Sequence, residues 1–230
     1  MSVKQQIAWI KTIHEEEAGP ELREGYARYR DRVGYLSKYI QAFSLKPKVL
    51  RMLDDFQSEI IFGTSSIGRR REELISVVVS SANNCAYCGS SHAQWLADEI
   101  GEKDTDCLLA VCSLDARDPG YVGDLEKWGG LAKDDLAMLS FARRLTRAPE
   151  TMENTHVAAL RAAGFSDEQI LDIVIQVAYK NFTTRFCLGL GVELEERHLR
   201  YRDAFQPRTQ GGSGSDDAVS SVAAGRRTGS

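Results

Sequence analysis

Arg71-Glu72-Glu73-Leu74-Ile75-Ser76-Val77-Val78-Val79-Ser80-Ser81-Ala82-Asn83-Asn84-Cys85-Ala86-Tyr87-Cys88-Gly89-Ser90-Ser91-His92 is the stretch on which the fold turns. Its three consecutive valines favour a strand on propensity alone. The charged opening from Arg69 and the helix-period segments on either side favour a centrally buried helix, and we read it as one. Ser80-Ser81-Ala82-Asn83-Asn84 then supplies side chains that bond to their own backbone and favour caps and turns, which predicts a bend. A further helix runs from about Asn84 to Ile100, with Trp95 and Leu96 on its buried side and Gly101 at its end.

Outward from this stretch the pattern stays helical. Gly19-Pro20 opens a helix whose Leu22, Tyr26, Tyr29 and Val33 form one stripe, stopped by Gly34. After a short turn or helix from Tyr35 to Phe43, Ser44 and Pro47 open another, in which Val49, Leu50, Leu53, Phe56, Ile60 and Ile61 are expected on one side, closed by Gly63. On the C-terminal side, Asp104 or Thr105 caps a short helix through Leu108, Leu109 and Cys112. Asp118-Pro119-Gly120 and Gly129-Gly130 mark residues 115–130 as the longest irregular connection, a candidate cover for a site or an interface. Leu136, Leu139 and Leu145 mark a helix stopped by Pro149, and Val157, Leu160 and Ala163 one that ends at Gly164. Ser166-Asp167-Glu168-Gln169 is a capping box opening a long apolar helix from Ile170 to about Phe186.

From Gly211 on, ten of the last twenty residues are glycine or serine and none is aromatic, a composition that cannot bury enough surface to fold. The expected organisation is one all-α domain over residues 1–207, with its core at about 44–195, and a disordered Gly/Ser-rich tail over 208–230. A chain of 230 residues suits one well-buried domain.

Twenty-nine basic against 33 acidic residues give a net charge of −4, with no general attraction for phosphate backbones, so nucleic acid is not an expected partner. No window approaches the apolar length that a membrane span needs. The N-terminus lacks the apolar core and cleavage site of an export signal, and the five cysteines do not form a secreted-type disulfide framework. A cytoplasmic, reducing location is expected, where a close cysteine pair is more often redox-active or metal-binding than a permanent staple.

On a helix, Cys85, Cys88 and His92 share one face within about two turns. The first turn of a helix favours a thiolate through its free N–H groups and dipole. His92 lies one turn beyond Cys88 and two beyond Cys85, which selects Cys88 as the nucleophile. Glu73 joins them only if the chain bends, since an unbroken helix would hold it roughly 22 Å from Cys88. A bend at Ser80–Asn84 would let its carboxylate hold or polarise His92. A structural zinc site would want two more ligands at comparable spacing, which the sequence does not offer. Each residue also has a plainer reading: two buried small hydrophobes for the cysteines, a satisfied core histidine, and a first-turn glutamate balancing three arginines. Cys107, Cys112 and Cys187 have no partner at a telling spacing and read as packing residues.

The run Arg71 to Ser80, followed by Asn84-Cys85-Ala86-Tyr87-Cys88 and His92, resembles the alkylhydroperoxidase AhpD-like family, peroxidase-related branch, of the carboxymuconolactone decarboxylase superfamily. Ser44-Leu45-Lys46-Pro47, Leu160 to Asp167, Asn181-Phe182 and Leu190-Gly191-Val192 add to the likeness, which covers about residues 10–195. The resemblance implies an AhpD-like helical bundle with the Cys-x-x-Cys at the start of a central helix, assembly into homo-oligomers, and a peroxidase that needs no haem, metal or other cofactor. Cys88 would attack the peroxide, Cys85 would resolve the sulfenic acid as a disulfide, and Glu73 and His92 would relay protons. A dithiol, thioredoxin-like or lipoyl reductant would restore the pair. The best-known members carry a histidine immediately before the nucleophile; here it is Tyr87, a poor base near neutral pH, so the implied relay is thinner. The alternatives are a non-enzymatic redox sensor or interaction protein switched by the disulfide, and lactone or decarboxylase chemistry on the same scaffold.

Overall fold

The computed structural model describes residues 6–112 and 130–205, and among these every regular element is a helix. The α-helices are α1 (Pro20–Val33), α2 (Lys38–Gln41), α3 (Pro47–Ile60), α4 (Arg69–Ala82), α5 (Ala86–Ile100), α6 (Glu102–Cys112), α7 (Lys133–Arg147), α8 (Asn154–Ala162) and α9 (Asp167–Leu190). A 3₁₀ stretch, Glu196–Phe205, follows.

α4 is the central element and packs against α5, α7 and α9. Leu74, Ile75, Val77 and Val79 are wholly buried and Val78 nearly so. That burial decides the helix-or-strand question. A valine costs a helix at most about 0.7 kcal/mol of propensity, whereas burying its side chain returns roughly 1.5–3 kcal/mol. A helix apolar on every side is one surrounded on every side.

The three arginines that open α4 are all paired. Arg69 meets Glu73 at 2.8 Å, Arg70 meets Asp135 at 2.7 Å, and Arg71 bridges Asp134 at 2.5 Å and Asp135 at 2.9 Å. Asp135 is buried, so these contacts fix the start of α4 to the start of α7.

The boundaries follow local chemistry. Pro20 and Pro47 occupy the first turns of α1 and α3, and Gly34 ends α1 in the left-handed conformation. Ser166 and Gln169 complete the reciprocal capping box of α9. α9 runs four residues past Phe186, to Leu190, and Gly191 caps it. α6 starts at Glu102, ahead of Asp104 and Thr105. On α3 the expected single face is corrected: Leu50, Ile60 and Ile61 point inward, but Val49 and Phe56 are half exposed and share an outward stripe with Met52. Their 3- and 4-residue spacing suits either side of a helix, and only α1 and α9 pack closely enough to choose one. Most of the expected 115–130 connection, and the tail, lie outside the described residues.

Two apolar cores result. The larger joins α4, α5, α7 and α9 through Val77, Leu96, Leu139 and Ile173. The second joins α1, α2 and the N-terminal segment to the inner face of α9, and it contains Cys85, Cys88 and Cys187. Its N-terminal strap is held by backbone bonds from Trp9 N–H to Leu190 O (2.8 Å) and from Glu193 N–H to Ile7 O (3.0 Å). At Gly89 a Cβ would lie 2.2 Å from the Phe205 ring, so the glycine lets the 3₁₀ stretch close onto α5.

Candidate functional site

The site is built on the turn between α4 and α5. Asn84 takes a left-handed φ of 52°, and the Cys85 N–H returns to Ser80 O at 3.0 Å. Asn is among the few non-glycine residues that tolerate this conformation. The Asn83 amide donates to Asn181 Oδ1 (3.0 Å) and Thr184 Oγ1 (2.9 Å), tying the turn to α9. Cys85 is thereby the N-cap residue of α5 and Cys88 its third residue, both at the end where backbone N–H groups are free.

The reversal lays α5 beside α4 and brings Glu73 to His92. Glu73 Oε2 lies 2.7 Å from His92 Nδ1, and Glu73 Oε1 is held by Arg69 at 2.8 Å. The other ring nitrogen, Nε2, lies 3.0 Å from Lys180 Nζ, which reaches across from α9. All three side chains are buried. Burial and the Lys180 charge push the His92 pKa down to about 4, against the pull of Glu73, so His92 is neutral at pH 7. The Glu73 carboxyl is penalised by burial but falls below its ordinary value because His92, Arg69 and Lys180 outweigh that penalty. Burial lowers Lys180 to about 8, with Glu73 and Cys88 opposing. These states fix the hydrogens: Nδ1–H donates to Glu73, and Nε2 accepts from the lysine ammonium.

The three thiols form a cluster. Cys88 interacts with the thiols of both Cys85 and Cys187. All three are buried and free of disulfides. Every one of the three is raised above the ordinary thiol range: Cys85 by the neighbouring Cys88 thiol and then burial, Cys88 by the neighbouring Cys187 thiol and then burial, Cys187 by burial. The expectation that the helix N-terminus leaves a thiolate here is therefore corrected. The neighbouring thiols and burial together outweigh the dipole, while Cys85 and the charge of Lys180 pull Cys88 down.

Cys88, Cys187, His92 and Lys180 open onto one pocket, about 490 Å³ including its mouth, walled by Tyr35, Phe62, Trp95 and Tyr179. Cys85 and Glu73 do not line it. The four residues singled out in the sequence thus meet in one place, with one change of connection. Both ring nitrogens of His92 are engaged by Glu73 and Lys180, so its link to Cys88 runs through the lysine. Tyr87 OH accepts from Tyr39 N–H (3.0 Å) and donates to Glu195 (2.8 Å), which fastens α5 to α2 and the segment after α9.

Lys180 and Cys187 were not anticipated. Cys187, read as packing, lines the same pocket as Cys88. The available signal was a buried polar stripe along α9, Gln176, Lys180, Thr183 and Cys187, at helical spacings of four, three and four. Such a stripe inside an apolar helix needs partners, and here they are Ser76, His92 and Cys88.

The sequence profile of the carboxymuconolactone decarboxylase family matches residues 47–116, which contain Glu73, both cysteines of the pair and His92. The fold aligns with a peroxidase-related protein from Silicibacter sp. TM1040 (TM-score 0.69, 21% identity, 86% of this chain and 97% of that one). It aligns equally with an alkylhydroperoxidase AhpD core, a peroxidase-related protein from Ralstonia eutropha JMP134 (TM-score 0.69, 21% identity, 84% and 95%). The likeness to these structures is one of fold, with the family profile matching the segment that carries the cysteine pair. The chain is also similar in fold to the debrominase Bmp8 (TM-score 0.64, 16% identity, 85% and 96%), whose C82A variant has been solved with 2,3,4-tribromopyrrole. In sequence it is 23% identical over 158 residues to YdfG of Bacillus subtilis strain 168, covering 68% of this chain and 96% of that one. Among the described residues no helix is long and apolar enough to cross a membrane.

Proposed function

We propose that the protein is a thiol-dependent peroxidase that reduces organic hydroperoxides or hydrogen peroxide through a Cys85/Cys88 disulfide. The observation that carries this reading is the arrangement of the pair: Cys88 opens onto the pocket, while Cys85, at the N-cap of the same helix turn, is buried off it. Cys88 sulfur attacks one peroxide oxygen, the O–O bond breaks, and the sulfur becomes a sulfenic acid while the alkoxide leaves. The thiol proton passes to that alkoxide. Lys180 is the shuttle, charged at neutral pH yet held at about 8, with His92 and Glu73 setting its position. Cys85 then displaces hydroxide from the sulfenic sulfur, forming the disulfide and water. A dithiol, thioredoxin-like or lipoyl reductant in a reducing, cytoplasmic setting restores the thiols. Assembly into homo-oligomers belongs to the same proposal, and the outward stripe Val49, Met52 and Phe56 is available to it.

The test is consumption of tert-butyl hydroperoxide with dithiothreitol as reductant. Turnover that vanishes in Cys88→Ser supports the reading. A single stoichiometric oxidation with a change in assembly size would favour a redox sensor, and lactone or decarboxylase activity surviving Cys88→Ser would favour the third alternative. The aromatic walls of the pocket, with the likeness to Bmp8, favour one further reading: thiol-dependent removal of halogen from a small aromatic. Bromide release from 2,3,4-tribromopyrrole in the presence of dithiol distinguishes it.

A further inference from the structure

We propose that Cys187 is a second resolving thiol, so that Cys88 can close a disulfide either with Cys85 inside the first turn of α5 or with Cys187 across to α9. This deepens the peroxidase reading and rests on it for the oxidant. Three observations support it. The Cys88 thiol interacts with both of the other two. Cys187 and Cys88 both line the pocket that would admit the peroxide, whereas Cys85 does not. All three are buried in one apolar cluster, where water reaches a sulfenic acid poorly and a neighbouring thiol is the nearest nucleophile.

The chemistry is a condensation. Cys187 sulfur attacks Cys88 sulfur, the S–OH bond breaks as the S–S bond forms, and hydroxide leaves with the Cys187 proton as water. Attack by Cys85 on Cys88 can then expel Cys187, converting the cross-helix bridge into the local one with no change in oxidation state. The two outcomes differ physically. The local disulfide joins residues already in one helix turn, while the Cys88–Cys187 bridge covalently staples α5 to α9 and closes a long loop, raising thermal stability. With both resolvers present, Cys88 is protected from over-oxidation from either side.

The test uses the full chain as native protein, Cys85→Ser, Cys187→Ser and the double variant. Each is treated with one equivalent of tert-butyl hydroperoxide, alkylated and mapped by mass spectrometry. In Cys85→Ser, Cys88 and Cys187 should be recovered as one dithiothreitol-reducible linked peptide, and the oxidised protein should melt higher than the reduced. The double variant should instead hold Cys88 as an unresolved sulfenic acid, trapped with dimedone, which a second equivalent of peroxide carries to the sulfinic acid. In native protein a fraction of Cys88 should also be linked to Cys187, a readout independent of how well the variants fold. Sulfenic Cys88 trapped by dimedone in Cys85→Ser, with Cys187 still alkylatable, overturns the proposal. A parallel oxidation with diamide, which joins thiols without peroxide, separates the two failures. If diamide closes Cys88–Cys187 and peroxide oxidises nothing, the peroxidase reading falls and the pairing stands; if diamide leaves Cys187 free, the pairing falls.

Discussion

Replacing Lys180 with methionine should make the protein more stable and less active. Lys180 is buried, and its pKa of about 8 against an ordinary 10.5 corresponds to roughly 3 kcal/mol of unfavourable burial of charge. Below pH 8 the lysine is protonated in both folded and unfolded chains, so the whole penalty acts. Between 8 and 10.5 the unfolded chain holds more protons than the folded one, and the penalty fades as pH rises. Methionine fills a similar volume without charge, but forfeits the 3.0 Å bond to His92, a contact to a charged group costing about 1.5 kcal/mol or more. The expected net gain at pH 7 is therefore on the order of 1–2 kcal/mol, falling toward zero or reversing by pH 10.5. Urea unfolding of native and Lys180→Met protein at pH 7 and pH 10.5 measures it, and the difference between the two proteins cancels the titration of tyrosines and cysteines common to both. Peroxide turnover should drop at the same time, because Cys88 loses the one nearby charge that pulls its thiol down. A variant less stable than native protein by the same amount at both pH values would refute the reasoning.

Other outcomes follow from the same geometry. His92, held near 4 with its proton on Nδ1, should show no imidazole titration around pH 6.5 by NMR. Because its folded pKa is depressed, its contribution to stability should decline as pH drops from 6.5 toward 4. Glu73→Gln keeps a hydrogen-bond acceptor for His92 but strips Arg69 of its carboxylate, so peroxide turnover should fall roughly a hundredfold with a loss of about 1–3 kcal/mol in urea unfolding. Gly89→Ala drives a methyl into the Phe205 ring and should cost about 1–3 kcal/mol, read as a lower melting temperature.

Much of this was legible in the sequence, and the boundary between legible and hidden has a physical cause. Helix starts and stops are written locally, in Pro20, Pro47, Gly34 and the Ser166 capping box, so they can be read from a few residues. The meeting of Glu73 with His92 was readable as well, because Ser80 to Asn84 announces its turn through side chains that compete for backbone bonds. Lys180 and Cys187 were hidden because their partners lie some 90 to 100 positions away on another helix, and only packing brings them together. The acidity of the thiols was hidden for a related reason. A helix N-terminus can be seen in a sequence, but its burial and the thiols packed beside it cannot, and here they outweigh the dipole. On α3, Val49 and Phe56 misled because periodicity gives a stripe without saying which neighbour covers it.

The central claim is that Cys88 is the atom that meets the peroxide. Native protein treated with one equivalent of tert-butyl hydroperoxide, quenched with an alkylating agent and mapped by mass spectrometry, tests it directly. The account predicts that every oxidised product contains Cys88, as a trapped sulfenic acid or as one half of a disulfide. Recovery of Cys88 fully alkylated while Cys85 or Cys187 carries the oxidation would contradict it.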